Sequence, residues 1–307
     1  MANLQHLITA PALLSLLCAL PAQAGDSVSI NASLRAGLEQ QSNVNISELS
    51  QASGQSDVAT LLEADANVQW QTSAAVSLAA GYSVQDKNYR QAEAFNSRLQ
   101  LAHLDLSYQR GQHTFGTNLY YAIADLDQAR FLTLQQASLY SMHSIGDSSF
   151  VRPALTLSEK TFARLSERDA NNGTASIDAY WFFAQATRFI TFGLRYEEEN
   201  SRDTAFSYRA PGLNIRFSAT FPLWQLEQKV QLGARWSQRR YTETETDAIA
   251  PTVNRRDNQS QFDASWQLTL SENLATIAKL QHGDFSSTLD SADYQETRSS
   301  LMLQLSF

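Results

Sequence analysis

Beyond its first two dozen residues the chain alternates apolar and polar side chains with a period of two, almost to its end. Successive residues of a strand point to opposite faces, so each such segment reads as a strand with one apolar face. In the first segment Val28, Ile30, Ala32, Leu34, Ala36 and Leu38 share one face, and Ser29, Asn31, Ser33, Arg35, Gly37 and Glu39 the other. Leu62, Ala64, Ala66, Val68 and Trp70 oppose Glu63, Asp65, Asn67 and Gln69. Leu213, Ile215, Phe217, Ala219 and Phe221 oppose Asn214, Arg216, Ser218 and Thr220. The pattern repeats over Val230 to Ser237 and over Phe262 to Leu268. Counting gives about fourteen strands, each near the ~10 residues that a tilted strand needs to cross a bilayer. Their centres fall near Leu34, Ala66, Leu78, Leu104, Leu119, Leu134, Leu155, Ala179, Leu194, Ile215, Leu232, Trp266, Ala278 and Leu303. The register slips near Gln135-Gln136 and Ile277, where bulges or a shifted count are expected.

The links between segments alternate in length. Short ones fall at Gln71 to Ser73, Arg110 to Gln112, Ser144 to Ser148, Thr187 to Arg188, Pro222 to Gln225 and Ser271 to Asn273. Longer polar ones fall at Gln40 to Ser56, Gln85 to Phe95, Glu159 to Gly173, Glu198 to Ala205, Glu243 to Arg256 and Gly283 to Tyr294, with an intermediate one at Ala124 to Gln128. Short turns on one side and long loops on the other are the rhythm of an outer-membrane barrel. A soluble sandwich, the competing use of such strands, rarely keeps it. The expected fold is all-β, a transmembrane antiparallel up-and-down β-barrel, with both termini and the short turns in the periplasm. Aromatics near strand ends fit interfacial girdles: Trp70, Tyr108, Phe183, Phe221 and Trp224 on the turn side, and Tyr82, Tyr121, Tyr196 and Trp236 on the loop side.

Composition agrees. Charged residues are 18% of the chain and mean hydropathy is slightly negative. That suits a wall in which only every second residue meets lipid. No apolar run beyond the first two dozen residues is long enough for a membrane helix. The net charge of −8 argues against a nucleic-acid partner.

Residues 1–24 read as a secretory signal peptide. An apolar stretch from Leu7 to Leu20 ends at Pro21, and Ala22-Gln23-Ala24 fits the small-x-small cleavage rule, leaving 25–307 as a single barrel domain in the outer membrane. The only cysteine, Cys18, follows Leu17 rather than a small residue, so it is read as part of the discarded peptide and not as a lipidation site. The mature chain then has no disulfide and no thiolate chemistry.

Candidate chemistry is sparse. His103, Asp105 and Ser107 share one face of a strand. Side by side on one strand they lack nucleophile-base-orienter geometry and read as lumen polar residues rather than catalytic ones. His113, His143 and His282 are scattered, Asp284, Asp290 and Asp293 lie in one loop without an EF-hand pattern, and no metal or other cofactor is expected. The charges assigned to the lumen are more informative. Register points Arg195, Arg216 and Arg235 inward from three consecutive strands, and Glu63, Asp65 and Asp105 inward from the opposite wall. Opposed arcs of this kind either set a transverse field in a channel or pair across a closed lumen. The chain ends with Leu301, Leu303, Leu305 and Phe307 on one face, a pattern similar to the terminal signal read by the bacterial barrel-assembly machinery.

One segment carries a family resemblance. Gly37-Leu38-Glu39-Gln40-Gln41-Ser42-Asn43-Val44-Asn45 resembles the strand-to-loop motif, ending in Ser-Asn-Val-Asn, that opens the barrel of surface lipoprotein assembly modifiers. The likeness covers roughly Ser27 to Phe307. It implies a barrel of about fourteen strands acting as a conduit for export or assembly of surface components, with outer-membrane lipids, the assembly machinery and surface lipoproteins as expected partners. Those proteins usually carry a tetratricopeptide domain ahead of the barrel, which this chain has no room for. A porin-like channel for small solutes and a lipid-acting enzyme are the alternatives.

Overall fold

The computed structural model describes residues 27–49, 51–242 and 255–307. The expected signal peptide, the cleavage site and most of the Glu243 to Arg256 link lie outside the described residues. Fourteen strands close into an antiparallel barrel in which each pairs with its neighbours in sequence and the last pairs with the first. They are β1 (Ser27–Gln41), β4 (Asp57–Gln71), β5 (Val76–Tyr89), β6 (Ser97–Arg110), β7 (His113–Leu126), β8 (Ala129–Ser144), β9 (Ser149–Phe162), β10 (Ala170–Phe183), β11 (Arg188–Ser201), β12 (Tyr208–Leu223), β13 (Leu226–Tyr241), β14 (Arg256–Thr269), β15 (Leu274–Ser287) and β16 (Tyr294–Ser306). Two short strands, β2 (Asn45–Ile46) and β3 (Gln51–Ala52), form a small hairpin in the link between β1 and β4. All fourteen sequence-derived centres fall inside barrel strands.

Two faces follow from the alternation. Leu34, Leu62, Leu119, Leu155, Leu194, Ile215, Leu232 and Leu303 are exposed on the outer wall, as a lipid-facing belt requires. The polar partners turn into the lumen, where Arg35 meets Glu63 and Gln304 across three neighbouring strands. A closed barrel leaves no long sheet edge, so nearly every backbone group in the hydrocarbon zone is bonded within the wall.

The strands run further into the long links than the alternation indicated. β5, β9, β11 and β15 continue to Tyr89, Phe162, Ser201 and Ser287. Past the lipid the outer face of a strand meets water while polar groups also fill the inner face. Outward residues such as Asp86, Asn88, Glu159, Glu198 and Asn200 are then as polar as inward ones, and the period-two signal disappears. The Ala124 to Gln128 link is a two-residue turn, with Asp127 (φ 47°) and Gln128 (φ 61°) both left-handed, the geometry that suits a tight hairpin.

The two expected slips are not bulges. Pairing is continuous through Gln135-Gln136 and through Ile277. Inward positions there are apolar instead: Leu132 and Leu134 join Leu99, Leu101, Tyr120, Ala122, Ala124 and Phe162 in a buried cluster inside the barrel, and Ile277 packs with Leu61 and Met302. A lumen that is packed rather than watery accepts leucine on its inner face, and that mimics a change of register. The one irregularity between β7 and β8 lies at Ala124/Asp125.

Candidate functional site

The lumen concentrates the protein's charged groups, and its loop end is spanned by the link between β1 and β4. The Ser42-Asn43-Val44-Asn45 segment is a staple. Ser42 N donates to Thr297 O and its hydroxyl accepts from Thr297 N, while Asn43 Nδ2 donates to Gln295 O. Asn43 Oδ1 accepts from Gly54 N, which closes the small hairpin. Asn45 and Gln41 both donate to Glu296, whose carboxylate also pairs with Arg298 at 2.9 Å. Val44 is fully buried against Ala59 and Tyr89. Lys87 pairs with Glu39 and bonds Gln41 within the same cluster. The motif therefore fastens the first link to the β1–β16 seam.

From that anchor the link crosses the mouth. Glu48, in a 3-10 turn at Ser47–Leu49, reaches Lys160 of β9 at 3.4 Å. Lys160 also pairs with Glu199 of β11 at 2.8 Å, and Arg168 donates to Glu48 O at 3.3 Å. Asn172 and Tyr208 hold Glu197 and Glu199. Arg168 and Arg239 lie over the rings of Phe206 and Tyr208.

Below the cap two chambers of the lumen stand out among the described residues. The loop-end chamber holds about 220 Å³, and its walls include Arg152, Asp178, Arg195, Arg216, Arg235 and Asp263. The turn-end chamber holds about 280 Å³ and is lined by Gln69, Ser77, Asp105, Gln109, Tyr140 and Phe150 among others. Arg152 lines both. Its guanidinium sits 4.2 Å from the centre of the Tyr140 ring and donates to Asn118 at 3.2 Å, a cluster on the wall of β7, β8 and β9 where the two chambers meet.

The six charges singled out in the sequence all belong to lumen-facing positions, but they are not equivalent. Glu63 and Asp65 are engaged locally by Arg35, at 3.1 Å and 3.8 Å. Asp105 is bonded by Asn118 and by Tyr140 at 3.2 Å, the two residues that Arg152 also touches. Arg195, Arg216 and Arg235 gather in the loop-end chamber. Arg152, missed in the sequence, was legible from register, because Val151, Pro153 and Leu155 mark the outer face of β9. His103 lies beside Tyr120, with ring centroids 6.0 Å apart, and Asp284 bonds Ser286 and Gln295. His113 and His143, far apart in sequence, are cross-strand partners with Nδ1 atoms 2.8 Å apart on the outer face. Leu301, Leu303 and Leu305 face outward, and Phe307 exchanges two backbone hydrogen bonds with Ala32 (3.2 and 2.9 Å) at the foot of the seam.

Residues 30–301 match the family model described as surface lipoprotein assembly modifier. A search of curated proteins found no match. Among solved structures the fold is similar to an anion-selective porin from Comamonas acidovorans, with TM-score 0.51 and 9% identity over 92% of this chain and 100% of that one. It is also similar to OmpT, an outer membrane protein of Vibrio cholerae, with TM-score 0.53 and 9% identity over 92% and 100% of the two chains. A mutant of the TodX monoaromatic hydrocarbon channel matches with TM-score 0.51 and 11% identity over 98% and 92%. At these identities the likeness is one of fold, that of an outer-membrane barrel.

Proposed function

The chain belongs to the surface lipoprotein assembly modifier family, and from that premise we propose that this outer-membrane barrel serves as a conduit for export or assembly of surface components, lipoproteins foremost. The observation that carries the reading is the extent of the family match, which runs from β1 into β16 and so takes in the whole wall, the staple and the lumen. In this reading the turn end and both termini face the periplasm and the capped end faces outward, because long links belong on the outer side of such barrels. The barrel meets outer-membrane lipids along its apolar belt, is inserted by the assembly machinery through its terminal strand, and has no catalytic role. The bridge from Glu48 to Lys160, which carries the first link across the mouth, supports a conduit that is shut at rest.

A second reading, a channel for small solutes, draws on the lumen charges: the arginines of β11 to β13 stand across from Glu63 and Asp65 of β4 and Asp105 of β6. The experiment that separates the two is a comparison of surface proteins in cells with and without the protein. Export or assembly predicts fewer lipoproteins accessible to surface biotinylation at unchanged total amount. An unchanged surface proteome together with lost uptake of a small solute contradicts it and favours the channel.

A further inference from the structure

We infer that the loop-end chamber is a binding site for one small oxyanion, bearing phosphate or paired carboxylates, held by Arg195 and Arg216 with Arg152 and Arg235 beside them.

The barrel's own habits make the case. Several lumen cations have a carboxylate on them: Glu63 on Arg35, Glu39 on Lys87, Glu199 on Lys160, Glu296 on Arg298. Arg195 and Arg216 depart from this. Among the described residues neither has an ion pair within 4.0 Å, although they share one chamber with two further arginines. Four guanidiniums and Lys160 line it with four carboxylates, Glu48, Asp178, Glu197 and Asp263; Lys160 and Glu48 pair with each other, which leaves four guanidiniums against three carboxylates. Arg235 senses Arg195 and Arg216 as like charges and Asp263 as its opposite. Glu197, on the mouth side of the same chamber, accepts from Asn172 at 3.0 Å and from Tyr208 at 2.7 Å.

Two of the carboxylates are set back against the wall. Asp178 Oδ1 would lie 2.3 Å from a Cβ on Gly193, and Asp263 Oδ1 2.4 Å from one on Gly233, so each lies in the gap left by a missing side chain. Gly212 does the same for Arg195, whose Nε would be 3.0 Å from a Cβ there. These glycines keep the middle of the chamber clear while its walls stay charged. A second, independent sign is the hydroxyl of Thr191, which is buried, lines the chamber and has no hydrogen-bond partner. An unmade bond on a buried hydroxyl is costly, and like-charged guanidiniums crowded together are costlier. An oxyanion relieves both, since the planar fork of arginine matches phosphate and carboxylate in pairs of bonds. At about 220 Å³ the chamber is smaller than the roughly 300–1,000 Å³ usual for drug-sized ligands, so the ligand is a single small anion and not a polymer or a lipid.

The test uses the purified full-length barrel in detergent. Its unfolding temperature is followed with inorganic phosphate, with succinate and with sodium chloride at matched ionic strength. Phosphate or succinate should raise it progressively with concentration beyond the chloride control, as a ligand of the folded state must. Arg195→Gln with Arg216→Gln should abolish that rise, whereas Arg35→Gln, outside the chamber, should keep it. Broadening of the phosphate ³¹P resonance by the wild-type barrel, reversed by succinate, needs no variant to fold. A wild type that neither gains stability nor broadens the resonance overturns the site, as does a rise that survives the double substitution.

Discussion

Lys160 Nζ lies 2.8 Å from Glu199 and 3.4 Å from Glu48, so one cation on β9 ties the barrel wall to the link that crosses the mouth. Its side chain is 12% exposed, and removing it leaves two carboxylates in a crowded, poorly solvated place. Lys160→Ala should cost about 3 kcal/mol of stability. Glu48→Gln keeps the Lys160–Glu199 pair and should cost about 1 kcal/mol. Unfolding in denaturant reads both, and equal costs would mean that Glu199 gains little from Lys160.

The seam between β1 and β16 depends on Gly37. A Cβ there would fall 2.1 Å from Leu301 O and 2.6 Å from the Met302 side chain. Gly37→Ala should lower stability by about 1–3 kcal/mol, the usual cost of overpacking. Gly173→Ala should be neutral, because the nearest atom is Leu157 Cδ2 at 3.9 Å. The folded fraction after refolding, read by heat-dependent gel migration, compares them.

Phe217 faces lipid between Ile190 and Leu232. Phe217→Arg should impair insertion by ~2–4 kcal/mol if it sits near mid-bilayer. By sequence, its neighbour Ser218 is the natural tolerant control, but Ser218 is only 2% exposed inside the barrel and has no room for arginine. Gln231, on the lumen face of β13, is the better control, and Gln231→Arg should cost much less. Equal effects at Phe217 and Gln231 would contradict the register.

The strand number, the strand centres and the two faces were legible in the sequence because lipid on one side and polar groups on the other impose the alternation residue by residue. Where that contrast ends, legibility ends too. Above the lipid, Asp86 and Glu159 hid the strand extensions, and inside the barrel Leu132, Leu134 and Ile277 imitated a slip. The inward sense of Arg195, Arg216 and Arg235 could be read from their neighbours. That Glu63 would be taken by Arg35, and that Glu48 would cross to Lys160, could not. Both depend on contacts between segments distant in sequence, as does the meeting of His113 with His143.

The terminal strand makes its own prediction. Phe307 is bonded to Ala32 through its backbone, while its side chain lies exposed on the outer face. Phe307→Ala should preserve the closed barrel yet slow assembly in cells, whereas deleting the residue also removes the last two bonds of the seam. Normal membrane levels for both variants would argue against a terminal signal.

Current through single barrels in a planar bilayer tests the closed conduit most directly. Wild type should be silent, with the first link held across the mouth by Glu48 and Arg168. Glu48→Gln combined with Arg168→Ala should release the side-chain contacts that hold the link across the mouth, and should conduct. Adding Arg195→Gln, Arg216→Gln and Arg235→Gln to that variant should then raise its cation preference, because Asp178, Glu197 and Asp263 would outnumber the cations left in the chamber. A wild type that conducts steadily, at the same level as the released variant, would contradict the account.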